Sequence, residues 1–209
     1  MSTPPRRPLS MIRSYTWADT LTIGNASCGT LCLFLCIDYL AFGDVRRVWI
    51  AISLLPLALL FDALDGYVAR LHRTRPSLLG ADLDSLADVI SFGVAPAALG
   101  YTLGLRGGWD VVCLVYFVVC GVSRLARFNV TSSTLTDSAT GKVRYFEGTP
   151  IPTSILIVGM LAVALSLGHV QADMWFGHVR IGPATLHPFA LVYVLSGSAM
   201  ISTIRIPKP

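Results

Sequence analysis

Long apolar runs constrain this chain more than any other feature of its sequence. A helix needs about 20 consecutive apolar residues to cross the hydrocarbon core of a bilayer, and the chain has six runs of roughly that order. Charged residues make up 13% of the chain, about half the usual fraction in a soluble domain. The sequence therefore predicts an all-α integral membrane protein built as a six-transmembrane-helix bundle. The predicted spans are Ala18–Ala41, Val48–Ala69, Leu83–Leu103, Trp109–Leu125, Pro152–Leu167 and Leu186–Ile204. Charged residues at the ends of the second to fourth spans indicate helices that continue beyond the membrane.

The basic residues predict how the bundle is oriented. With the N-terminus in the cytoplasm, all but four of the 16 Lys and Arg residues fall on the cytoplasmic side, which is the bias that membrane proteins show. Both termini should then be cytoplasmic. We favour a bacterial plasma membrane, with the endoplasmic reticulum as the alternative. The predicted organisation is a juxtamembrane segment over residues 1–17, the bundle over residues 18–204 and a cytoplasmic tail over residues 205–209.

Four aspartates interrupt the apolar pattern between the second and third runs. Asp62 and Asp65 share a face near the end of the second predicted helix, since residues three or four apart are neighbours on a helix. Asp84 and Asp88 likewise share a face near the start of the third. A hairpin between the two helices brings both pairs to a similar depth near the cytoplasmic surface, where four carboxylates can converge.

Clustered carboxylates in a poorly solvated site repel one another and need cations. Oxygen-only ligands suit hard divalent ions, Mg²⁺, Mn²⁺ or Ca²⁺, and paired ions recur in enzymes that displace groups at phosphorus. The acids can also pair with Arg70 or Arg127, or carry protons or cations in a transporter. Gly66 and Gly80 lie at the same level, where a missing side chain admits either a ligand or a tightly crossing helix.

The acids belong to a longer pattern that resembles a known signature. The pattern is Asp62-x2-Asp65-Gly66-x2-Ala69-Arg70-x9-Gly80-x3-Asp84-x3-Asp88, and it is similar to that of the CDP-alcohol phosphotransferases. Three further stretches resemble the phosphatidylserine synthase branch of that family: LDSLADVISFGVAPA (Leu83–Ala97), SRLARFN (Ser123–Asn129) and YFEGTPIPT (Tyr145–Thr153).

The resemblance implies a reaction and a set of roles. A member of this branch would be a homodimer of six-helix bundles, each with a polar cavity open to the cytoplasm. It would transfer the phosphatidyl group of CDP-diacylglycerol to the hydroxyl of L-serine. Two divalent ions, Mg²⁺ or Mn²⁺, would be held by Asp62, Asp65, Asp84 and Asp88, and Asp88 would also be the general base. The implied donor-binding residues are Asn25, Gly66, Ala69, Arg70 and Gly80.

Two arginines near the end of the fourth predicted helix are candidates for binding the acceptor. Arg124 and Arg127 share a face, and the planar guanidinium fork suits the serine carboxylate. Phe128 and Asn129 follow directly, and Asn129 offers a further hydrogen bond. Anchoring of the arginines to anionic lipid headgroups is the alternative. The polar loop Val130–Thr149 is predicted to cover the cavity, and its Glu147 is a weaker candidate for the serine ammonium.

Other functions remain open from the residues. Glycerol 3-phosphate or inositol phosphate could replace serine as acceptor, although both are more anionic and should demand a more basic cavity. A cation or proton transporter is a further alternative, which the grouping of all four acids at one membrane face disfavours. The net charge of +4 follows from the basic cytoplasmic segments and needs no nucleic-acid partner to explain it.

Overall fold

The structure, a computed structural model, describes residues 17–71, 78–135, 145–202 and 205–207. Helices dominate these residues. The α-helices are α1 (Trp17–Phe42), α2 (Val45–Leu71), α3 (Leu78–Asp88), α4 (Ala95–Leu103), α5 (Gly108–Leu135), α6 (Ile155–Ser166) and α7 (Ala190–Ile201). Four short strands pair as two antiparallel ribbons, β1 (Tyr145–Glu147) with β4 (Arg205–Pro207) and β2 (Val179–Ile181) with β3 (Ala184–Leu186).

Four helices of the described chain are long and apolar enough to cross a membrane. They are Ala18–Phe42, Val45–Val68, Gly80–Leu103 and Gly108–Val130. This fits the multi-pass, all-α integral membrane protein that the sequence predicts. Helices α6 and α7 have 12 residues each and fall short of a full span, so the count of six spans stays a prediction.

The outer surface of α5 shows why this chain suits a bilayer. Val112, Val115 and Val119 are spaced along one helical face, and each is between 55% and 58% exposed. In water, such a stripe would have to be covered by another element of the protein. Lipid tails provide that cover in a membrane.

The third predicted span is one helical path with a wider turn inside it. Helix α3 runs directly into a π-helical turn, Val89–Val94, which runs into α4. Pro96 lies in the first turn of α4. Because proline has no N–H and its ring crowds the carbonyl four residues back, we attribute the widening to Pro96. The π-helical turn begins directly after Asp88.

Aromatic packing joins α7 to the rest of the bundle. The rings of Phe117 and Tyr193 meet edge to face with centroids 5.3 Å apart, and Tyr193 Oη donates a hydrogen bond to the carbonyl oxygen of Pro96 at 2.8 Å. Gly197 permits the close approach, since a Cβ there would lie 3.2 Å from the Cα of Phe117. Helix α7 is thereby tied to both α4 and α5.

Asp110 organises the end of the bundle opposite the four aspartates. Its side chain is fully buried and accepts hydrogen bonds from the backbone N–H groups of Gly107 (2.8 Å) and His187 (2.7 Å). The imidazole Nδ1–H of His187 also donates to this carboxylate, at 2.6 Å, since a carboxylate can only accept. We call this set of contacts the Asp110 junction. It fastens the segment before α7 to the start of α5.

Several boundaries differ from the predicted ones. Helix α5 continues to Leu135 instead of ending at Leu125, as the charged residues at that end indicated. Helix α7 begins at Ala190 instead of Leu186, because Leu186 belongs to β3. The backbone N–H of the next residue, His187, is bonded to the side chain of Asp110. Of the predicted cover over residues 130–149, residues 130–135 belong to α5, Tyr145–Glu147 form β1, and residues 136–144 lie outside the described chain.

Candidate active site and metal centre

Three carboxylates from two helices converge at one end of the bundle. Asp62 comes from α2, and Asp84 and Asp88 come from successive turns of α3. One carboxylate oxygen of each lies within 4.8 Å of the corresponding oxygens of the other two. We call Asp62, Asp84 and Asp88 the carboxylate cluster. The i, i+4 spacing on α3 places Asp84 and Asp88 on one face, and α2 brings Asp62 to them, so three of the four acids that the sequence predicts to converge are grouped here.

Asp65, the fourth predicted ligand, lies beside this cluster and toward α1. It is buried, with 7% of its surface exposed, and its Oδ2 accepts a hydrogen bond from Thr22 Oγ1 at 2.8 Å. Of the described acids, Asp62, Asp84 and Asp88 are grouped closely enough to share an ion, and Asp65 stands outside that group. Its role as a ligand stays a prediction.

The residues of the carboxylate cluster fit a divalent cation. Asp88 is buried, and Asp62 and Asp84 are half-buried. Asp84 Oδ1 is buried with no hydrogen-bond partner among the residues the structure describes. A buried carboxylate oxygen without a donor is costly, and three oxygens so close together repel one another. Coordination to a hard cation would relieve both costs.

Asn25 lies against Asp88 from the side of α1. It is completely buried, and its Nδ2 donates to Asp88 Oδ1 at 3.3 Å. The hydroxyl of Ser91, in the π-helical turn, donates to the backbone carbonyl of Asn25 at 2.8 Å. The predicted contact of Asn25 with the donor therefore remains untested, while a contact with the predicted general base is present.

The predicted acceptor-binding residues lie near the C-terminal end of α5, at the end of the bundle that holds the carboxylate cluster. Arg124 is half-buried and interacts electrostatically with Asp88, and its Nε is buried with no hydrogen-bond partner in the described part of the chain. Arg127 and Phe128 are exposed. Asn129 donates through Nδ2 to Ser85 Oγ at 3.0 Å, so its amide ties α5 to α3.

The remaining predicted donor-binding residues lie on α2 and α3. Gly66 follows Asp65 directly, and Gly80 lies in the first turn of α3; both are half-buried. Ala69 and Arg70 belong to the last turn of α2, and their side chains lie outside the described part of the structure. The predictions for these four residues stay predictions.

An apolar groove starts at the height of Asp84 and Asp88 along α3, where Leu83 and Ala87 belong to its lining. It has a volume of about 420 Å³ and lies between α1 and the helical path from α3 into the π-helical turn. The hydroxyls of Ser27 and Thr30 in its lining donate to carbonyls of their own helix, so the surface offered is apolar. Its side chains from α1 include Ile23, Leu31 and Phe34, and those from the facing path include Leu83, Leu86 and Ile90.

Sequence reasoning did not find two of the residues around the acids. Thr22 and Ser91 make the contacts with Asp65 and with the backbone of Asn25 described above. Thr22 lies three residues before Asn25, so a shared helix face was the available signal. Nothing in the sequence alone marked Ser91, because its contact depends on the register between α1 and the π-helical turn.

Comparison with known proteins places these residues in a family. Residues 15–193 match the family described as CDP-alcohol phosphatidyltransferase. The chain is 43% identical over 203 residues to a CDP-diacylglycerol–serine O-phosphatidyltransferase of Saccharomyces cerevisiae, covering 96% of this chain and 73% of that protein. It is 40% identical over 142 residues to an archaetidylserine synthase of Methanothermobacter thermautotrophicus, covering 67% of this chain and 54% of that protein.

A third relative agrees with the first in its name. A CDP-diacylglycerol–serine O-phosphatidyltransferase of Methanocaldococcus jannaschii is 43% identical over 156 residues, which cover 75% of this chain and 63% of that protein. The chain thus spans between about half and three quarters of the length of these relatives.

Proposed function

The chain belongs to the CDP-alcohol phosphatidyltransferase family, and from this premise we propose that it transfers the phosphatidyl group of CDP-diacylglycerol to L-serine. The products are phosphatidylserine and CMP. The names of the yeast and Methanocaldococcus relatives support serine as acceptor, and archaetidylserine synthase has the same headgroup in its product's name. The observation that carries the proposal is the convergence of Asp62, Asp84 and Asp88 in one half-buried site.

We assign divalent ions, Mg²⁺ or Mn²⁺ and two per site, to the four aspartates. Asp62, Asp84 and Asp88 would hold them, with Asp65 completing the set. When bound, the ions would neutralise the donor's diphosphate and the charge that develops on the leaving group. The buried, unpartnered Oδ1 of Asp84 supports this assignment independently of the family.

Asp88 acts as general base in the proposed step. The serine hydroxyl attacks the β-phosphorus of the donor and gives its proton to the Asp88 carboxylate. A new O–P bond forms as the bond from the β-phosphorus to the bridging oxygen breaks, and CMP leaves with that electron pair. A positioned base contributes about 10²- to 10⁴-fold to a rate. The burial of Asp88 keeps bulk water away from the transferred proton.

The donor spans the acids and the apolar groove. Its diphosphate and nucleotide lie beside Gly66, Ala69, Arg70, Gly80 and Asn25, and one of its hydrocarbon chains lies in the groove. Leu83 and Ala87 line the groove and are sequence neighbours of Asp84 and Asp88. These neighbours put the groove at the same height as the acids along α3 but on an adjacent face, so the donor's phosphate end would reach the carboxylate cluster around the side of α3.

The acceptor enters from the side of α5. Arg124 binds the serine carboxylate through its guanidinium, whose buried Nε has no partner among the described residues. Arg127, Phe128 and Asn129 complete this side of the site. Its opening faces the cytoplasm, as the distribution of basic residues predicts, and the working unit is a homodimer.

A competition assay tests the function. The purified protein in detergent receives CDP-diacylglycerol, Mg²⁺ or Mn²⁺, and an equal mixture of serine, glycerol 3-phosphate, inositol and inositol phosphate. Mass spectrometry should detect phosphatidylserine and an equal amount of CMP, and EDTA should abolish both. Another phospholipid with CMP would overturn serine as acceptor. No CMP with either metal would overturn the transfer reaction itself.

A further inference from the structure

We propose that Thr22 and Asn25 of α1 are positioning residues, which fix two carboxylates that arrive from different helices. Thr22 holds Asp65 of α2, and Asn25 holds Asp88 of α3. The inference deepens the proposed function, because it explains how the acids keep a defined geometry despite their mutual repulsion. Neither residue needs to touch a substrate for this role.

Both contacts are buried and lie on one helical face. Thr22 and Asn25 are 4% and 0% exposed, and residues three apart on a helix point to the same side. The Thr22 hydroxyl lies 2.8 Å from Asp65 Oδ2 and 3.1 Å from the carbonyl of Ala18. It has one proton to donate, and the carboxylate is both the closer and the charged acceptor, so the bond to Asp65 prevails.

The side-chain amide of Asn25 has one buried polar atom without a partner among the described residues, and a positioning role explains why an amide is present. Its Oδ1 is buried and has no hydrogen-bond partner among the described residues, which destabilises the folded protein. An apolar residue of similar volume would avoid that cost. Since a carboxylate only accepts hydrogen bonds, the Nδ2 group must face Asp88. What the amide contributes here is its donor.

Helix α1 is itself held in register against α3. Gly29 lies directly on the π-helical turn, where a Cβ would lie 2.8 Å from Ser91 Cα and 3.0 Å from its backbone nitrogen. Ser91 donates to the carbonyl of Asn25 at 2.8 Å. These two contacts, one turn apart on α1, fix the height of Asn25 relative to Asp88. Helix α1 is therefore a common reference for acids on two other helices.

The consequence concerns which atoms of the acids face the reaction. With Asp88 Oδ1 engaged by Asn25, Oδ2 keeps its lone pairs for a cation and for the serine proton. With Asp65 Oδ2 engaged by Thr22, the Oδ1 of Asp65 is left for a cation. Removal of either donor lets the carboxylate rotate, and residues that orient a ligand in this manner typically contribute about 10- to 100-fold to metal affinity or activity.

Matched variants test the two contacts. Thr22→Val removes the hydroxyl with little change in shape, and Thr22→Ser keeps it. Asn25→Leu removes the amide donor at similar volume. Thr102→Val is the control, because Thr102 is also a buried threonine but lies on α4 near the Asp110 junction. Each full-length protein is assayed for kcat, for KM of both substrates, for Mn²⁺ affinity by electron paramagnetic resonance, and for melting temperature.

We expect Asn25→Leu to lower kcat by about 10- to 100-fold with the KM for serine nearly unchanged. Thr22→Val should weaken Mn²⁺ binding by a similar factor, and Thr22→Ser should restore it. The inference is overturned if Thr22→Val binds Mn²⁺ as the wild type does, or if Thr102→Val loses as much. It is equally overturned if a folded Asn25→Leu protein keeps its kcat.

The metal measurement separates this inference from the proposed function. Mn²⁺ affinity does not depend on which acceptor is used or on turnover. In one outcome, the wild-type protein makes no phosphatidylserine while Thr22→Val still weakens Mn²⁺ binding. That result would contradict the proposed function and support the positioning role. The threonine pair also remains informative if Asn25→Leu does not fold.

Discussion

Asp88 has the most constrained surroundings of the four acids. Asp62 and Asp84 approach it, Asn25 donates to it, and Arg124 interacts with it electrostatically. A carboxylate held among other anions and away from bulk water is a poor structural element, since its burial costs free energy. Its position is reasonable for a group that must accept a proton and share a cation.

We expect Asp88→Asn to lower kcat by at least about 100-fold, because the amide cannot take the serine proton. The variant retains size and hydrogen-bonding capacity, so donor binding should remain measurable in a filter or thermal-shift assay. Asp82→Asn is the matched control on the same helix, since Asp82 is exposed and should keep wild-type turnover. Unchanged kcat in Asp88→Asn would remove Asp88 from the mechanism.

The sequence predicted the residues of the acid site better than their partners. Helical spacing alone places Asp84 and Asp88 on one face, and an antiparallel hairpin brings Asp62 to them. The bonds from Thr22 and Asn25 depend on how far α1 slides along α2 and α3, which no local spacing encodes. Asn129 illustrates the same limit, because the structure directs its amide to Ser85, a contact that the motif does not reveal.

At the scale of elements, α1 packs closely against the π-helical turn, where a Cβ on Gly29 would lie 2.8 Å from Ser91 Cα. Hydropathy predicts the third span as a single helix, which is correct for its length, but a turn that is wider by one residue leaves the apolar pattern almost unchanged. Pro96 was the one local signal for it. The turn moves Ser91 onto α1, and Gly29 is the residue that makes room for it.

We predict that Gly29→Ala destabilises the protein by about 1–3 kcal/mol, the usual cost of overpacking a tight contact. The added methyl would meet Ser91 backbone atoms, which cannot move without shifting the helix. The melting temperature in detergent should fall, and turnover with it, because Asn25 is displaced from Asp88. Gly159→Ala is the control, since a Cβ at Gly159 of α6 meets nothing within 4 Å. Equal melting temperatures for the two variants would contradict the assignment.

At the scale of the whole molecule, one end of the bundle holds the candidate site and the other holds contacts that stabilise the fold. One end holds the carboxylate cluster, Arg124 and the start of the groove. The other holds the Asp110 junction, together with Gln171, whose side chain donates to the carbonyl of Thr102 at 2.8 Å. The apolar runs predicted the bundle, but they did not predict this junction, which joins residues far apart in sequence. They also placed the start of the last helix at Leu186, which is the last residue of β3 and directly precedes the His187 bonds to Asp110.

We expect Asp110→Ala to lower stability by about 3 kcal/mol, because the substitution leaves the buried N–H of His187 and the half-buried N–H of Gly107 without this acceptor. Turnover per folded molecule should change little, since the junction and the acids lie at opposite ends. Thermal unfolding and kcat of the same preparation measure the two effects separately. Asp173→Ala, at an exposed acid in the same end segment, should leave both unchanged. A large loss of kcat in Asp110→Ala at full folding would show that the two ends are coupled.

On the proposal that the donor lies in the groove between α1 and α3, the rate depends on the donor's concentration within the membrane. The rim of the groove is open at the side of the bundle, where Leu31, Phe34 and Leu86 are between 47% and 63% exposed. A lipid that enters there diffuses in two dimensions and never leaves the bilayer, whereas serine arrives from the water. The rate should then follow the mole fraction of CDP-diacylglycerol among the surrounding lipids and not its amount per litre. Diluting the donor with inert phospholipid at constant total donor should slow the enzyme, while diluting the whole suspension with buffer at constant serine should leave turnover per molecule unchanged.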